Sequence, residues 1–446
     1  MPTTARSIAA AVDEPTPSGI AGTLARLIVD GTLAPGERLP TVRGLAAELA
    51  VSPATVSAAW QALAGAGRIV TRGRADTFIA DDSSHMAPHT RRLAGHVAAT
   101  RLDLSRGTPD PALLPRLARA FERAAPQAAT TSYHDEPVLP RLGRLLRDRW
   151  PAPSHRITVV DGALDAIDRT LQQVARLGDR IVVEQPSFPP LLDLAEQLRL
   201  QLLPVPLDRE GIVPDALGAA LLRAPRVLLL QPRAHNPTGV SMTAERAAEL
   251  AAVIERSPTG SRLIVIEDDH SGEIAQADDV SLAAHLPAQV VHVRSFSKSH
   301  GPDLRIAALG GPEDLIRAVE TRRALGPWWT PRLIQHVLAE LLTDGESIAD
   351  IGHARATYAA RQRRFAAALG RPPSDGINAW MPVDDERAAI LQLAADGIRV
   401  AAGSAFYRDD RTVTADGRDR IRITAGVIPD DVEAVAAAVA AAATAR

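Results

Sequence analysis

Short apolar runs recur through the middle of the chain, and each run ends in a polar segment. The runs occupy residues 157–160, 181–183, 227–230, 263–266 and 290–293. Continuous apolar runs separated by stretches of helical periodicity indicate strands that are buried on both faces of a mostly parallel sheet. Ligands of such sheets bind at the carboxyl ends of the strands. The polar segments after these runs are therefore candidate positions for binding or catalysis.

A different pattern occupies the N-terminal part of the chain. Two short helical patterns, 41–50 and 53–63, are separated only by Val51 and Ser52. Ser52 is a good N-cap and Pro53 suits the first helical position, so the second helix should begin sharply. Two helices joined so closely predict a helix-turn-helix.

The residues after the second helix predict a wing. Residues 69–79 alternate as a hairpin, with Arg72 and Arg74 at its tip. The segment that follows is polar, contains Pro88 and lacks sustained apolar periodicity, which is typical of a linker. The predicted organisation is an N-terminal winged helix at 1–80, a linker at 81–100 and a larger domain at 101–446.

Composition changes this picture mainly through what it excludes. The 446 residues contain no cysteine, which excludes disulfides and thiolate metal sites, and the twelve histidines show no paired spacing typical of a metal site. We predict no bound metal. No apolar run approaches the length of a membrane span and no apolar signal region is present, so we expect a cytoplasmic protein with no membrane partner. The net charge is −3, so any DNA contact must be local.

The basic residues of the chain are all arginines except for one lysine. Of the 50 lysine and arginine residues, only Lys298 is a lysine, and it lies in a Ser-Phe-Ser-Lys-Ser-His segment after the run at 290–293. A primary amine can add to an aldehyde, whereas an arginine guanidinium stays charged and cannot attack. Lys298 is therefore a candidate for covalent attachment of an aldehyde. The alternative is a solvated surface lysine.

From about residue 102 to the C-terminus, the strand-end segments resemble the fold-type I aminotransferase family, which uses pyridoxal 5′-phosphate, in content and order. The resemblance implies that Lys298 is the catalytic, cofactor-binding lysine. It also implies that Asp268 pairs with the pyridine nitrogen and that Asn236, in Asn-Pro-Thr-Gly, binds the ring oxygen. Phe188 would stack on the ring. Each motif alone has another interpretation: a solvated acidic strand end, an ordinary turn or a core aromatic residue.

The same resemblance implies a set of phosphate ligands. Asp161-Gly162-Ala163 resembles the family's phosphate cup, in which backbone N–H groups at a helix N-terminus hold the phosphate. The implied side-chain ligands are Ser295, Ser297 and Arg305. Tyr133 falls where such proteins bring a tyrosine to the partner subunit's phosphate, although the glycine expected after it is missing.

Two further positions concern the substrate and the cofactor ring. Arg422, in Ile-Arg-Ile-Thr, resembles the arginine that binds the substrate's α-carboxylate, since a forked guanidinium suits a carboxylate; the alternative is an edge-strand surface charge. His270 stands where the family usually has a tyrosine that donates to the ring oxygen. Because imidazole titrates near neutral pH, we expect a pH-sensitive cofactor site and altered transamination. The alternative is that His270 is a core histidine that points away.

The N-terminal residues resemble the GntR-type winged helix over about sixty positions. The match is most specific in Leu-Ala-Pro-Gly-Glu-Arg-Leu-Pro-Thr-Val-Arg, residues 33–43. The resemblance implies that Arg43 reaches DNA from the first helix of the motif. It implies that the second helix and the wing bind the DNA grooves through Ser52, Thr55, Ser57, Arg72 and Arg74.

This chain departs from the GntR pattern at two places. Pro53 stands where an arginine is common, and Ala75-Asp76 replace the glycine-containing tip of the wing, which puts an acidic residue close to DNA. Residues 16–80 contain six arginines and four acidic residues, so the net charge of the domain is small. We therefore expect DNA binding to depend on dimerisation.

A GntR-type winged helix joined to a fold-type I aminotransferase-like domain, with a mostly parallel central sheet and a small C-terminal α+β subdomain, is the organisation of the MocR/PdxR regulators. The resemblance implies a bacterial transcriptional regulator that binds operator DNA and senses pyridoxal phosphate, an amine or an amino acid. It also implies a head-to-tail homodimer. Two alternatives stay open: a working aminotransferase with an accessory DNA-binding domain, and a repressor whose aminotransferase-like domain is inactive.

Overall fold

The computed structural model describes residues 5–30, 32–34, 36–65, 69–72, 76–79, 88–94, 100–127, 132–408, 419–429 and 431–445. The chain divides into two compact units, Met1–Arg91 and Arg92–Arg446. The division falls within a helix, Pro88–Ala94, in the segment predicted as a linker. The rest of that segment, apart from residue 100, lies outside the described residues.

The smaller unit contains the predicted winged helix. Its helices and strands are α1 (Ala5–Ala11), α2 (Pro17–Val29), α3 (Val42–Leu49), α4 (Pro53–Gly65), β1 (Ile69–Arg72) and β2 (Asp76–Ile79). Thr41 begins α3 by accepting from the N–H of Gly44, and Ala50 ends it in the left-handed conformation with φ of 52°. The strands pair in antiparallel register from Ile69 with Ile79 to Arg72 with Asp76. The predicted helix-turn-helix and hairpin are confirmed.

The larger unit alternates strands and helices. Its strands are β3 (Leu102–Asp103), β4 (Arg156–Val160), β5 (Arg180–Gln185), β6 (Gln201–Asp208), β7 (Gly211–Ile212), β8 (Val227–Leu230), β9 (Ile264–Asp269), β10 (Val290–Ser295), β11 (Ala307–Gly311), β12 (Ala379–Val383), β13 (Ile398–Arg399), β14 (Ala401–Ala402) and β15 (Asp419–Ile423). After α5 (Pro88–Ala94), its helices are α6 (Leu117–Ala124), α7 (Pro140–Asp148), α8 (Ala163–Val174), α9 (Pro189–Gln197), α10 (Pro214–Leu221), α11 (Ala244–Arg256), α12 (Glu313–Ala324), α13 (Arg332–Leu341), α14 (Gly345–Ala368), α15 (Glu386–Ala395) and α16 (Val432–Ala442).

A mostly parallel sheet forms the centre of the larger unit, as predicted. Its strand order is β4-β11-β10-β9-β8-β5-β6-β7. The strands from β10 through β6 in this order are parallel to one another, whereas β11 is antiparallel to both its neighbours and β7 is antiparallel to β6. Apolar side chains pack on both faces: Val183 lies in a cluster with residues of α8 and α9, and Val182 in one with residues of α10 and α11. Burial on both faces explains the continuous apolar runs.

The register of the sheet aligns the ends of its strands. Ser295 at the end of β10 pairs with Ala307, and Ala307 pairs with Val160 at the end of β4. Val293 in turn pairs with Asp268 near the end of β9. The segments that follow β4, β9 and β10 therefore leave the sheet at one edge.

A second, smaller sheet belongs to the C-terminal part of the unit. Its antiparallel order is β12-β15-β14, and a separate parallel pair joins β13 to β3. Buried residues of the strands and of α14, α15 and α16 form one core, including Phe365, Met381, Leu393, Ile421 and Val435. The middle strand, β15, carries Arg422 between Trp380 and Ala401. This is the predicted α+β subdomain.

Among the residues that the structure describes, no helix has both the length and the apolar character required to span a bilayer.

Candidate cofactor and DNA-binding sites

Lys298 follows β10 in a partly enclosed position. Its Nζ donates to the carbonyl of Gly107, and burial together with the positive charge of Arg422 lowers the pKa of the amine to about 8. The charge of Asp268 opposes this shift. A lower pKa leaves more of the amine unprotonated near neutral pH, which is the nucleophilic form.

Asp268 is buried at the end of β9 and is only partly satisfied. Its Oδ2 accepts from Nε2 of Gln231 at 2.8 Å, whereas Oδ1 has no hydrogen-bond partner among the described residues. Burial raises the pKa of this carboxyl to about 6. A buried carboxylate with one open oxygen suits a cationic N–H donor, which would stabilise its ionised form.

Asn236 and Gln231 connect Asp268 to Arg422 through three hydrogen bonds. The backbone N–H of Asn236 donates to Oε1 of Gln231 at 2.8 Å, the same side chain that holds Asp268. Its Oδ1 accepts from Nη1 of Arg422 at 3.3 Å and from Nδ2 of Asn378 at 3.4 Å. The amide oxygen is therefore used within the protein, and the amide N–H₂ is the end that can donate to a ligand.

Arg422 is fully buried on β15. Its Nη2 donates to the carbonyl of Ser105, Nε has no partner among the described residues, and the guanidinium lies 5.2 Å from the ring centre of Phe406. Burial lowers the pKa of Arg422 to about 10, and Asp103 opposes that shift. The group stays cationic at neutral pH, so a carboxylate is the ligand that suits it.

Gly107 completes this part of the site, and the motif analysis missed it. Its φ is +62°, and a Cβ there would lie 2.9 Å from Nη1 of Arg422. Its N–H donates to Oγ1 of Thr424 at 2.9 Å, while its carbonyl accepts from Lys298. Only glycine fits both the left-handed conformation and the close approach of the guanidinium. The one signal in the sequence is the turn-forming Gly-Thr-Pro.

The predicted phosphate ligands lie at the edge where β4 and β10 end and β11 begins. Gly162, with φ of +110°, precedes α8, and a Cβ on it would lie 2.5 Å from Nη2 of Arg305. That Nη2 donates to the carbonyl of Asp161 at 3.1 Å. Ser295 and Ser297 share a hydrogen bond of 2.9 Å between their hydroxyls. The structure thus places a guanidinium beside a helix N-terminus, an arrangement that binds anions.

Arg323 is a buried residue of this corner that the sequence analysis did not identify. Its Nη2 lies 3.2 Å from Asp161 and its Nη1 lies 2.9 Å from Asp165. Thr330 also donates to Asp161, at 2.7 Å. These contacts neutralise Asp161, so an acidic residue is compatible with an anion-binding loop.

His270 corrects one expectation. Its Nε2 lies 3.0 Å from the carbonyl of Ala234, and burial, with the charge of Lys298, lowers the pKa of the ring to about 3. The expected titration near neutral pH is therefore wrong for this environment. A neutral ring next to a carbonyl carries its proton on Nε2, so Nδ1 is an acceptor and does not replace the donor that a tyrosine would supply.

The two predicted aromatic ligands lie apart from each other. Phe188 precedes α9 and packs, partly buried, against the apolar cluster of the central sheet. Tyr133 is 87% exposed and stacks on Trp329, with 6.1 Å between ring centres. Phe188 remains a candidate stacking residue. Tyr133, in contrast, is exposed at the surface and can contact only a ligand that lies outside the buried site around Lys298.

In the smaller unit, the DNA-facing predictions have different outcomes. Arg43 is exposed on α3. Ser52 caps α4: its Oγ accepts from the N–H of Thr55 at 3.2 Å and lies 2.9 Å from the hydroxyl of Thr55. Ser57 is half-buried on α4. Arg74 and the side chain of Arg72 lie outside the described residues.

The acidic residue of the wing is paired. Asp76 accepts from Arg38, and both side chains are largely exposed. The segment before α3 adds to the hairpin, because Leu39 donates to Thr77 at 2.8 Å and Ile79 donates to Glu37 at 2.8 Å. The pairing reduces the unfavourable charge that Asp76 would bring to DNA.

Residues 99–439 match the family described as aminotransferase class I and II, and residues 16–79 match bacterial regulatory proteins of the gntR family. The chain is 36% identical to the vitamin B6 salvage pathway transcriptional repressor PtsJ of Salmonella typhimurium, with 89% of this chain and 92% of that protein covered. It is 29% identical to the pyridoxine biosynthesis transcriptional regulator PdxR of Corynebacterium glutamicum, with 88% and 90% covered.

The chain belongs to the MocR family of transcriptional regulators. Among solved structures, the regulator is similar to kynurenine aminotransferase of Pyrococcus horikoshii, with a TM-score of 0.70, 21% identity and 82% and 96% of the two chains covered. It is also similar to α-aminoadipate aminotransferase LysN of Thermus thermophilus, with a TM-score of 0.67, 24% identity and 86% and 98% covered. These likenesses confirm the fold-type I architecture of the larger unit.

Pyridoxal 5′-phosphate is the cofactor of this family, and the residues of the regulator fit it. The open Oδ1 of buried Asp268 suits a pyridinium N–H, and the amine of Lys298 suits an aldehyde. Arg305 leaves no room for a side chain at position 162, and glycine there keeps the loop open to an anion. When bound, the cofactor supplies an aldehyde and an electron-accepting ring.

Proposed function

We propose that the regulator reports, through its winged helix, which small molecule occupies the site around Lys298. The observation that carries this proposal is the presence, in one chain, of a DNA-reading unit and of a site that joins Lys298, Asp268 and Arg422. The ligand class is pyridoxal phosphate together with an amine or an α-amino acid. Operator DNA is the macromolecular partner, contacted by α3, α4 and the wing.

The arrangement of cations in the site supports an α-amino acid. Arg422 and Lys298 are close enough for the charge of Arg422 to lower the pKa of Lys298. The carboxylate of an amino acid would bind Arg422, and its amino group would lie near Lys298, where the cofactor's aldehyde is attached. Asn236 orients the guanidinium of Arg422 by accepting a hydrogen bond from it, and the ring of Phe406 covers one of its faces.

Ligand binding would compete with contacts that hold one backbone segment. The carbonyls of Ser105 and Gly107 accept from Arg422 and Lys298, respectively. Attachment of the cofactor's aldehyde to the Lys298 amine would remove the donor to Gly107, and binding of an amino acid's carboxylate to Arg422 would remove the donor to Ser105. The segment 105–107 follows β3, the first strand after the N-terminal unit, and its release would be the first step of signalling.

A single-turnover experiment separates this function from catalysis. The cofactor-loaded regulator is mixed with individual amino acids, and the absorption spectrum, keto-acid release and operator affinity are followed. A stable spectral change with altered operator affinity supports a sensor. If a second reaction, with an added α-keto acid as amino acceptor, releases product over repeated turnovers, the result supports the second candidate, a working aminotransferase, which the complete set of Lys298, Asp268 and Arg422 favours.

We also propose that the regulator is a cytoplasmic head-to-tail homodimer. Exposed Tyr133 and half-buried Trp329 supply an aromatic surface beside Arg332, whose guanidinium lies 5.2 Å from the centre of the Trp329 ring. Such a surface suits an interface. Sedimentation equilibrium of the full chain tests the state, and Tyr133→Ala should weaken cofactor binding only if the tyrosine serves a partner.

The Arg43→Ala variant is expected to weaken operator binding by on the order of 1 to 3 kcal/mol if a base contact is lost, or to reduce the salt dependence by about one ion if the contact is to phosphate. Arg43 is exposed on α3, so its removal leaves the core of the unit intact. The measurement is fluorescence anisotropy with operator DNA at several salt concentrations.

Arg26→Ala is the matched control for Arg43→Ala. Arg26 lies on α2 of the same unit, is exposed and pairs weakly with Asp13 at 3.9 Å. The change of charge is the same, so a general electrostatic effect would weaken both variants equally. Equal affinities of Arg43→Ala and wild type would remove α3 from the DNA contact.

The spectrum of the cofactor-bound regulator is expected to lack a one-proton step that belongs to His270 between about pH 5 and 8. The reason is the lowered pKa of about 3, which keeps the ring neutral in that range. Spectrophotometric titrations of wild type and His270→Gln should superimpose in shape. A step near the ordinary histidine pKa in wild type alone would show that the ring titrates.

A further inference from the structure

A second cavity lies in the larger unit, apart from Lys298. Its volume is about 800 Å³, and it lies between the segment 238–241 of the Asn-Pro-Thr-Gly loop, the C-terminal half of α14 and the strand β12. Its buried apolar wall includes Phe365, Ala366 and Met381, with Trp380 beside them. The volume is within the range of small-molecule sites, and an apolar wall is typical of them.

The charged side chains at this cavity are mostly arginines. Arg209, Arg363 and Arg371 line it, and the first two make no hydrogen bond or ion pair with any described residue. Asp375 is the acidic residue of the described lining. Its carboxylate accepts from the N–H groups of Gln276, Ala277 and Gly376 and from Oγ of Ser241.

The difference between these groups determines the ligand class. The four donors to Asp375 occupy its lone pairs and it forms no ion pair with Arg209 or Arg363, so these two arginines keep their forked donors available. We infer that this cavity binds a small organic anion that has an aromatic or aliphatic body and a carboxylate or phosphate group. The body would pack on Phe365 and Trp380, and the anionic group would bind the two arginines.

Contacts connect this cavity to the cofactor site. Gln362, which lines the cavity, donates to the carbonyl of Asn378 at 3.0 Å, and the side chain of Asn378 donates to Asn236. On the other side, Trp380 packs edge-on against Phe406 at 5.4 Å between ring centres, and Phe406 covers Arg422. A ligand in the cavity therefore touches residues that are two contacts away from Asn236 and from Arg422. The inferred ligand would be a second effector, distinct from the one at Lys298.

The test uses the full-length, cofactor-loaded regulator and 8-anilinonaphthalene-1-sulfonate, a fluorescent aromatic anion. Saturable binding of one probe per chain is expected. The Arg209→Gln/Arg363→Gln double variant should raise the Kd by about tenfold or more, because both charge-assisted contacts are lost. Ala359→Phe, which adds a ring to the cavity wall from α14, should weaken binding as well.

Arg364→Gln is the matched control, since it removes the same charge from the next residue of the same helix. Arg364 pairs with Glu433 at 2.9 Å and does not line the cavity. Its Kd should stay within about twofold of wild type. Equal effects of Arg363→Gln and Arg364→Gln would mean that the probe responds to general charge, and the inference would fail.

Competition assigns the anionic group. Displacement of the probe by 1-naphthoate, by 1-naphthyl phosphate or by both supports the site and identifies carboxylates, phosphates or either as its ligands. The inference fails if neutral 1-naphthalenemethanol displaces the probe as effectively as the anions do. It also fails if neither anion displaces the probe. The absorption band of the bound cofactor is expected to shift on probe binding in wild type and not in the double variant.

Discussion

Replacing Lys298 with alanine is expected to abolish covalent attachment of pyridoxal phosphate. The chain has no other lysine, so no neighbouring side chain can supply a substitute amine. The visible absorption band of the loaded protein should disappear. Borohydride reduction followed by peptide mapping should label Lys298 alone in wild type and leave the side chains of the variant unlabelled.

Lys298→Arg is the control for Lys298→Ala. It keeps a cation that can donate to the carbonyl of Gly107, but a guanidinium cannot form the covalent bond. Both variants should therefore lose the band, and the arginine variant should keep the thermal stability of the cofactor-free protein. A labelled side chain elsewhere, or an unchanged spectrum in either variant, would show that Lys298 is not the attachment point.

Asp268→Asn is expected to change stability and cofactor affinity in opposite directions. In the cofactor-free protein, burial raises the pKa of Asp268 to about 6, so the ionised carboxylate at neutral pH costs up to about 3 kcal/mol relative to the unfolded chain. The amide carries no charge and removes this cost. The Kd for pyridoxal phosphate, however, should rise by about a hundredfold, because the buried partner of the pyridinium is lost.

The pH dependence of stability identifies the cause. A raised folded-state pKa destabilises the protein above that pKa, and the effect disappears as the pH falls through about 6 toward the unfolded value. Denaturant unfolding should show Asp268→Asn as more stable than wild type at neutral pH, with the two converging near pH 4, about the pKa of an unfolded aspartate. A constant difference across this range would exclude ionisation of Asp268 as the reason.

Asp269→Asn offers a matched control one residue along β9. Asp269 is buried as well, but it accepts from Arg233 and Arg294, and these guanidinium groups hold its pKa well below its usual range. Removing this charge takes away the carboxylate that both buried arginines share and leaves Asp279 to pair with the two of them, so the variant should be destabilised at neutral pH. The two neighbouring substitutions are therefore expected to have opposite signs.

The strands that the sequence predicted are those buried on both faces. Continuous Val, Leu and Ile runs identify β4, β5, β8, β9 and β10, whereas β11 has the sequence Ala-Ala-Leu-Gly-Gly and was missed. Gly310 in β11 packs directly beneath the ring of Trp150, where a Cβ would lie 2.6 Å from the indole. Residues that are small because of a distant neighbour give no local strand signal.

The cofactor site was predictable where motifs specify chemistry. Lys298, Asp268, Asn236 and Arg422 belong to sequence patterns, and the structure brings them together through the central sheet and β15. Gly107 and Arg323 were missed because their roles depend on partners far along the chain: Arg422 for the first and Asp161 for the second. Sequence spacing carries no record of such contacts.

Environment was the part of the chemistry that the sequence could not specify. The residue type of His270 indicated a group that titrates near neutral pH, but burial and the charge of Lys298 lower its pKa to about 3. Asp76 is a similar case, since its acidity near DNA was evident and its pairing with Arg38 was not. In both places the electrostatic environment depends on neighbours that folding brings close.

The backbone carbonyls of Ser105 and Gly107, which Arg422 and Lys298 hold, impose a thermodynamic symmetry on signalling. If ligand binding at Arg422 and Lys298 alters operator affinity by some factor, operator DNA must alter the affinity for that ligand by the same factor. Regulators bound at promoters and regulators free in solution would then have different ligand thresholds. The concentration at which a gene responds would depend on DNA occupancy as well as on the metabolite itself.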